Sequence, residues 1–218
     1  GVVPAMYMTK CLTSYNSSNS FSDWSVWHKE CPTYTGNSKQ GKQPLWLHQT
    51  LAASNGVGGF FNNPTSTHFG PNQNSYDNVS GQSYIAYLWA EVPGFSKFGQ
   101  YTGTSDSNGP FIYCGFKPKF IIIRSITNSS PNNRDWLMKT SSKWNPYNGY
   151  NTGSYIGGAQ SIQTSATYTG TPGYNDFIDY TSNGFKIKNA GSPNYNGGET
   201  YIYCAWADNP FALNNRAR

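Results

Sequence analysis

Apolar residues along this chain fall in short runs, many of them alternating with polar positions, and the runs are separated by clusters of Gly, Pro, Asn, Asp and Ser. VVPAMYM near the start, FIII at residues 120–123, YIAYLWAEV from Tyr84 and YIYCAWAD from Tyr201 are rich in β-branched and aromatic residues. Each is bounded by turn-forming residues, which is how strands read in sequence. Between them lie turn clusters such as SDSNGP at 105–110, NPYNG at 145–149 and AGSPNYNGG at 190–198. No helix-length stretch carries apolar residues at i, i+3, i+4 and i+7. TLAAS at 50–54 has the makings of one short helical turn and no more. The longest strongly apolar stretch, 120–123, is far too short to cross a bilayer as a helix. The expected fold class is all-β.

The runs repeat. GVVPAMYMTK at 1–10 matches GFKPKFIIIR at 115–124 with an offset of 114, and Asp23-Trp24 matches Asp135-Trp136 at 112. TSTHF from Thr65 matches TSNGF from Thr181 at 116, and YIAYLWAEVP from Tyr84 matches YIYCAWADNP from Tyr201 at 117. Four blocks in one order with slowly drifting offsets describe a tandem duplication. Residues 98–114 have no counterpart before Gly1. The second copy therefore reads as complete and the first as lacking its leading hairpin, as in a chain cut from a longer repeat array. The expected domains are 1–95 and 96–218, each a β-sandwich of about seven short strands. The rings that recur, Trp24 with Trp136, Tyr84 with Tyr201 and Trp89 with Trp206, are expected in the two cores.

Composition narrows the reading. Aromatic residues make up 17% of the chain and charged residues 11%, which excludes a disordered tail and a coiled coil. The net charge of +5 comes from scattered bases. Without a dense Lys/Arg stripe no nucleic-acid partner is expected, and no signal peptide, lipidation motif or membrane insertion is read. The four cysteines, Cys11, Cys31, Cys114 and Cys204, have neither zinc nor redox spacing and read as buried thiols.

Catalytic chemistry is not expected. The three histidines, His28, His48 and His68, are isolated, and His68 stands where the other copy has Gly184. Asp176 and Asp179 offer a pair of carboxylates for glycoside cleavage, but the preferred reading has them flanking a strand and facing solvent. Asp106 and its neighbours offer oxygen ligands for calcium without forming an EF-hand loop, so a turn is preferred. No metal and no cofactor is expected.

The block from Tyr84 to Arg124, with the later DW, TSNGFKIK and GETYIYCAWADNPF, resembles a repeat domain of tailed-bacteriophage tail-fibre-like and virion structural proteins, common in phages of cyanobacteria and other marine bacteria. The resemblance covers essentially all of the second copy and most of the first. It implies a lectin-like or jelly-roll-like β-sandwich in a virion component, with no ligand or catalytic set to carry over. Cys114 and Cys204 depart from the family pattern, where Thr and Met-like residues are expected. At this point a bond between them and two free thiols both stand open.

Residues 144–155 (WNPYNGYNTGSY) gather rings that do not recur, Trp144, Tyr147, Tyr150 and Tyr155, among Asn and Gly. Such a loop has the make-up of an adaptable recognition surface, and these four are the expected ligand-binding residues. The expected function is a non-enzymatic virion structural protein of tail-fibre or spike type that attaches to host-surface glycan. The alternatives are a capsid decoration or head-fibre protein binding other virion subunits, and a polysaccharide depolymerase. The expected partners are other virion subunits, copies of the chain itself in a homo-oligomer such as a trimer, and host glycan; the expected location is the virion, assembled in host cytoplasm.

With so few charges, stability is expected to rest on ring burial and ladder hydrogen bonds, since exposed ion pairs contribute little. Melting of the chain between about 0.05 and 0.5 M sodium chloride should shift by no more than about 3 °C, a range set by weak surface electrostatics.

Overall fold

The computed structural model describes residues 1–13, 24–34, 41–47, 61–71, 78–127, 136–141, 153–156, 163–164, 178–188 and 196–210 of the chain. The fold is all-β, with no helix among the described residues. The chain divides into two compact units, Gly1–Ala90 and Glu91–Arg218. The stretch at 50–54 and most of the turn clusters at 145–149 and 190–198 lie outside the described residues.

The first unit holds β1 (Pro4–Cys11), β2 (Ser25–His28), β3 (Thr33–Tyr34), β4 (Gly41–Lys42), β5 (Leu45–Trp46), β6 (Phe61–Asn62), β7 (Gly70–Pro71) and β8 (Tyr84–Ala90). They form two antiparallel sheets, ordered β5-β2-β1-β8 and β3-β4-β6-β7. Tyr7 from β1, Trp27 from β2 and Phe61 from β6 join the sheets. Tyr7 stacks on Trp27 at 5.2 Å and meets the edge of Phe61 at 5.4 Å, the offset and perpendicular geometries that ring quadrupoles favour.

The second unit holds β9 (Ser96–Thr102), β10 (Phe111–Tyr113), β11 (Pro118–Ser125), β12 (Trp136–Thr140), β13 (Gly153–Ile156), β14 (Gln163–Thr164), β15 (Ile178–Thr181), β16 (Gly184–Ile187) and β17 (Thr200–Ala207). One sheet runs β14-β13-β12-β11-β17-β9 and the other β10-β16-β15. Their shared core sets Ile121, Ile123, Leu137, Tyr203 and Ala205 from the large sheet against Ile112, Ile178, Phe185 and Ile187 from the small one. Two sheets with one apolar filling between them make a sandwich-like unit.

The centres of the two units pair in equivalent registers. Met6, Tyr7 and Met8 oppose Trp89, Leu88 and Tyr87, just as Phe120, Ile121 and Ile122 oppose Trp206, Ala205 and Cys204. On the other side Tyr7 and Thr9 oppose Trp27 and Ser25, where Ile121 and Ile123 oppose Lys139 and Leu137. A register shift falls between Pro4 and Met6 and again between Pro118 and Phe120. One difference matters to stability. The buried pair Thr9–Ser25, hydroxyl to hydroxyl at 2.7 Å, stands where the second unit has the apolar pair Ile123–Leu137.

The recurring rings are not all in the cores. Only Tyr201 joins its unit's central cluster. Trp136 is buried, but Leu137 beside it points into that cluster, so strand alternation turns the indole to the opposite face. There the fully buried Arg124 lies over it, 4.9 Å from the ring centroid. Lys10 lies over Trp24 in the same way at 5.8 Å. Trp24, Tyr84, Trp89 and Trp206 are half-buried.

Gly184 explains the missing imidazole of the second copy. A Cβ at Gly184 would stand 2.1 Å from the Ile112 carbonyl oxygen, because β10 pairs tightly alongside. His68, at the equivalent turn position, is exposed. Both turns keep one hydroxyl contact, Thr65 Oγ1 to the His68 carbonyl at 3.3 Å and Thr181 Oγ1 to the Gly184 carbonyl at 3.0 Å.

Replacing Trp136 by Ala should lower stability by about 3–5 kcal/mol, the usual loss for a buried ring. Trp24→Ala should lose clearly less, because its ring is half-buried. Chemical denaturation of the two variants, run side by side, checks both.

Candidate functional site

Trp144, Tyr147 and Tyr150 lie outside the described residues. Tyr155 falls in β13, where its backbone opposes Leu137 and Gln163, and its side chain too is outside what is described. Asp176 is likewise outside, whereas Asp179 is exposed on β15 and accepts a hydrogen bond from Lys188 Nζ at 3.1 Å.

A ring-bearing surface that the sequence reading passed over lies on the outer face of the small sheet. In β10 the central residue, Ile112, enters the core, so Phe111 and Tyr113 point the other way. They are 47% and 64% exposed, and Tyr113 is the most exposed ring among the described residues. Residues two apart on a strand put their side chains about 7 Å apart on one face. Phe111 opposes Lys186, Tyr113 opposes Gly184, and Lys186 opposes Asp179. The face therefore presents two rings beside the Lys186 cation and the Lys188–Asp179 ion pair. The bare backbone of Gly184 lies between them, and a Cβ there would also crowd the Phe111 ring at 3.1 Å. The only signal in the sequence was that these rings have no counterpart in the first copy, since three successive apolar residues carry no alternation.

A polar clasp holds the chain that leads into β10. Asn196 is fully buried. Its Nδ2 donates to the Asp106 carbonyl at 2.7 Å and its Oδ1 accepts from Thr104 N–H at 3.0 Å. Its carbonyl accepts from Ser105 N–H at 2.9 Å. The Tyr201 hydroxyl accepts from Gly197 N–H at 2.8 Å and donates to Glu199 Oε2 at 2.9 Å. The Asp106 carboxylate accepts from Asn108 N–H at 2.7 Å, an Asx turn. These oxygens are engaged in closing a turn. Among the described residues no group of three His, Cys, Asp or Glu is placed to hold a metal ion.

The cysteines are free and buried. Cys114 joins the central cluster, while the neighbours of Cys204, Tyr203 and Ala205, occupy that cluster and leave Cys204 on the other face. The two therefore do not meet. Burial pushes the Cys114 thiol up to about 12, a rise that Lys97 partly offsets. It is a protonated, packed group at neutral pH, unlike a nucleophile, which needs its thiolate. Burial also pushes the Tyr180 phenol well above its usual range.

Fold and surface together define an all-β protein of two two-sheet units with exposed rings on the outer face of one sheet. The chain belongs to the family described as Domain of unknown function (DUF7483), whose model matches residues 1–210 and so reaches across both units. No curated protein and no solved structure matches it.

Because the folded Cys114 pKa lies above its ordinary 9.0, its contribution is fully present below pH 9. It is lost as pH climbs toward 12, where the unfolded chain releases the proton first. Melting temperatures measured from pH 7 to 11 should fall more steeply above pH 9 for the native chain than for Cys114→Ala. Labelling by a thiol reagent should reach all four cysteines only after unfolding.

Proposed function

We propose that this chain is a non-enzymatic structural protein of a bacteriophage virion, of tail-fibre or spike type, that attaches to host-surface glycan. The observation that carries the reading is the outward pair Phe111 and Tyr113 beside Lys186 and Asp179. Sugars are held by ring faces against their C–H surfaces and by charged or amide groups that reach their hydroxyls. The small sheet offers both on a rigid support, fixed behind by Ile112, Phe185 and Ile187. The resemblance of the repeated blocks to virion proteins supports the particle, and the rings support the ligand class. Trp144, Tyr147, Tyr150 and Tyr155 remain part of this reading as expected ligand-binding residues.

The decoration-protein reading draws on a separate observation. Tyr87 and Leu88 on β8 are exposed, one on each face of the sheet, and exposed apolar surface supports protein contacts.

The test is binding of the purified chain to host cells and to an array of their surface glycans. Tyr113→Ala should reduce binding at least tenfold while leaving the melting temperature unchanged, because the ring is largely in solvent. Immunogold label on the virion should fall on the tail. Label on the head alone, with no binding to cells or glycans, would overturn the adhesin reading.

A further inference from the structure

Two rows of residues cross the outer face of the small sheet. In one, Phe111 opposes Lys186, which opposes Asp179; in the other, Tyr113 opposes Gly184, which opposes Thr181. The neighbours of Lys186, Phe185 and Ile187, belong to the core, so strand alternation turns Lys186 outward beside the two rings. Directly opposed residues stand about 5 Å apart at Cβ and diagonal ones about 7 Å. The lysine is therefore within one monosaccharide's reach of both Phe111 and Tyr113. The bare backbone of Gly184 forms the floor between Tyr113 and Thr181.

The carboxylates of this unit are already in use. All five that are described have a partner. Glu91 pairs with Lys97, and Asp208 with Lys119 at 3.1 Å. Glu199 accepts from the Tyr201 hydroxyl at 2.9 Å, and Asp106 from Asn108 N–H at 2.7 Å. Asp179, the carboxylate opposite Lys186, accepts from Lys188 Nζ at 3.1 Å. Lys186 thus faces an anion whose charge a second lysine meets. Beside the rings stand two cations, Lys186 and Lys188, and one anion, Asp179, an excess of one positive charge on an exposed aromatic face.

We infer that the saccharide taken by this face is anionic: a sugar bearing a carboxylate or a sulfate, with its C–H surface on Tyr113 and Phe111 and its acid group on Lys186. The inference rests on the glycan reading and narrows it to one chemical class. A charge-assisted hydrogen bond from the ammonium is roughly twice as strong as one between neutral groups, and an uncharged sugar forgoes it. Thr181 adds an acceptor. Its hydroxyl proton goes to the Gly184 carbonyl at 3.0 Å or to Asn183 Oδ1 at 3.2 Å, which leaves Oγ1 to receive a sugar hydroxyl.

The host-glycan array tests this when each acidic member is printed beside its uncharged form, a uronic acid beside its methyl ester and a sulfated sugar beside the desulfated one. The full chain should bind an acidic member at least about tenfold more tightly than its uncharged form, as a hydrogen bond to a charged group allows. The two kinds of pair tell carboxylate from sulfate. The preference should shrink as sodium chloride rises from about 0.05 to about 0.5 M. Lys186→Gln should reduce it to less than about twofold. Asp179→Asn, which releases Lys188 and removes the anion beside the rings, should widen it. Tyr113→Ala changes no charge and should weaken both members of a pair, which separates this face from the general attraction of a basic chain for anions. Equal binding of both members, still weakened by Tyr113→Ala, would overturn the inference and leave the glycan reading standing. A preference that survives Lys186→Gln would overturn it too, because the acid group would then sit elsewhere. Absence of saturable binding to every member would overturn both.

Discussion

Arg124 lies fully buried over the Trp136 indole, and the second unit is arranged around that placement. Removing a guanidinium from water is expensive unless something replaces its hydration. The face of the indole replaces part of it through its quadrupole. The larger consequence is for register. Ile123 enters the core and Arg124 is turned away from it. Slipping β11 by one residue would drive the cation among Ile112, Phe185 and Ile187 and turn Ile121 and Ile123 out of the core to the face that Trp136 occupies. A single charge thus disfavours the nearest misfold of the central strand of the large sheet. Lys10 over Trp24 sets the same condition in the first unit at a half-buried, more forgiving site.

The two units also fill their interiors differently. The first joins its sheets with three rings, Tyr7, Trp27 and Phe61, and keeps a hydroxyl pair, Thr9 and Ser25, inside. The second has Ile121 in place of Tyr7, the buried Lys139 in place of Trp27 and the pair Ile123–Leu137 in place of Thr9–Ser25, and it carries a hydrogen-bonded polar network at its rim, centred on Asn196. A hydroxyl pair is neutral at best against a methylene pair, and each partner would be costly if left alone. The unit with the apolar centre also carries the outward rings, and a rigid floor is what a recognition surface needs if its side chains are to stay in place without the ligand.

Much of this was legible in the sequence, for identifiable reasons. Alternation and turn residues gave the strands, and the matched blocks are the residues that pair in equivalent ladders, from Met6–Trp89 and Phe120–Trp206 outward. What could not be read was which face each ring occupies. Trp136 looked like a core residue because it is large and recurrent. It is buried, but the neighbouring Leu137 takes the core side, and only the sheet-to-sheet contact settles which of two alternating sets is inside. Phe111 and Tyr113 were missed for the converse reason: three residues are too few for a periodicity to stand out between two turns. Gly184 stood out only as the residue in the place of His68, yet it is dictated by the Ile112 carbonyl, a backbone contact no pattern of side chains announces.

The pairing of β9 with β17 joins the opening and closing strands of the second unit, with Ser96 opposite Trp206. Among the described residues the start of β9 and the end of β17 therefore lie at one corner of the unit. A body tethered this way behaves like a bead on a loop. It can be spliced into a host protein at a single surface turn, removed with only a short gap to heal, or reconnected through its joined ends, with new termini cut elsewhere. Domain shuffling needs little more than this, and the geometry gives the fold a route into unrelated chains that a unit with its ends far apart would lack.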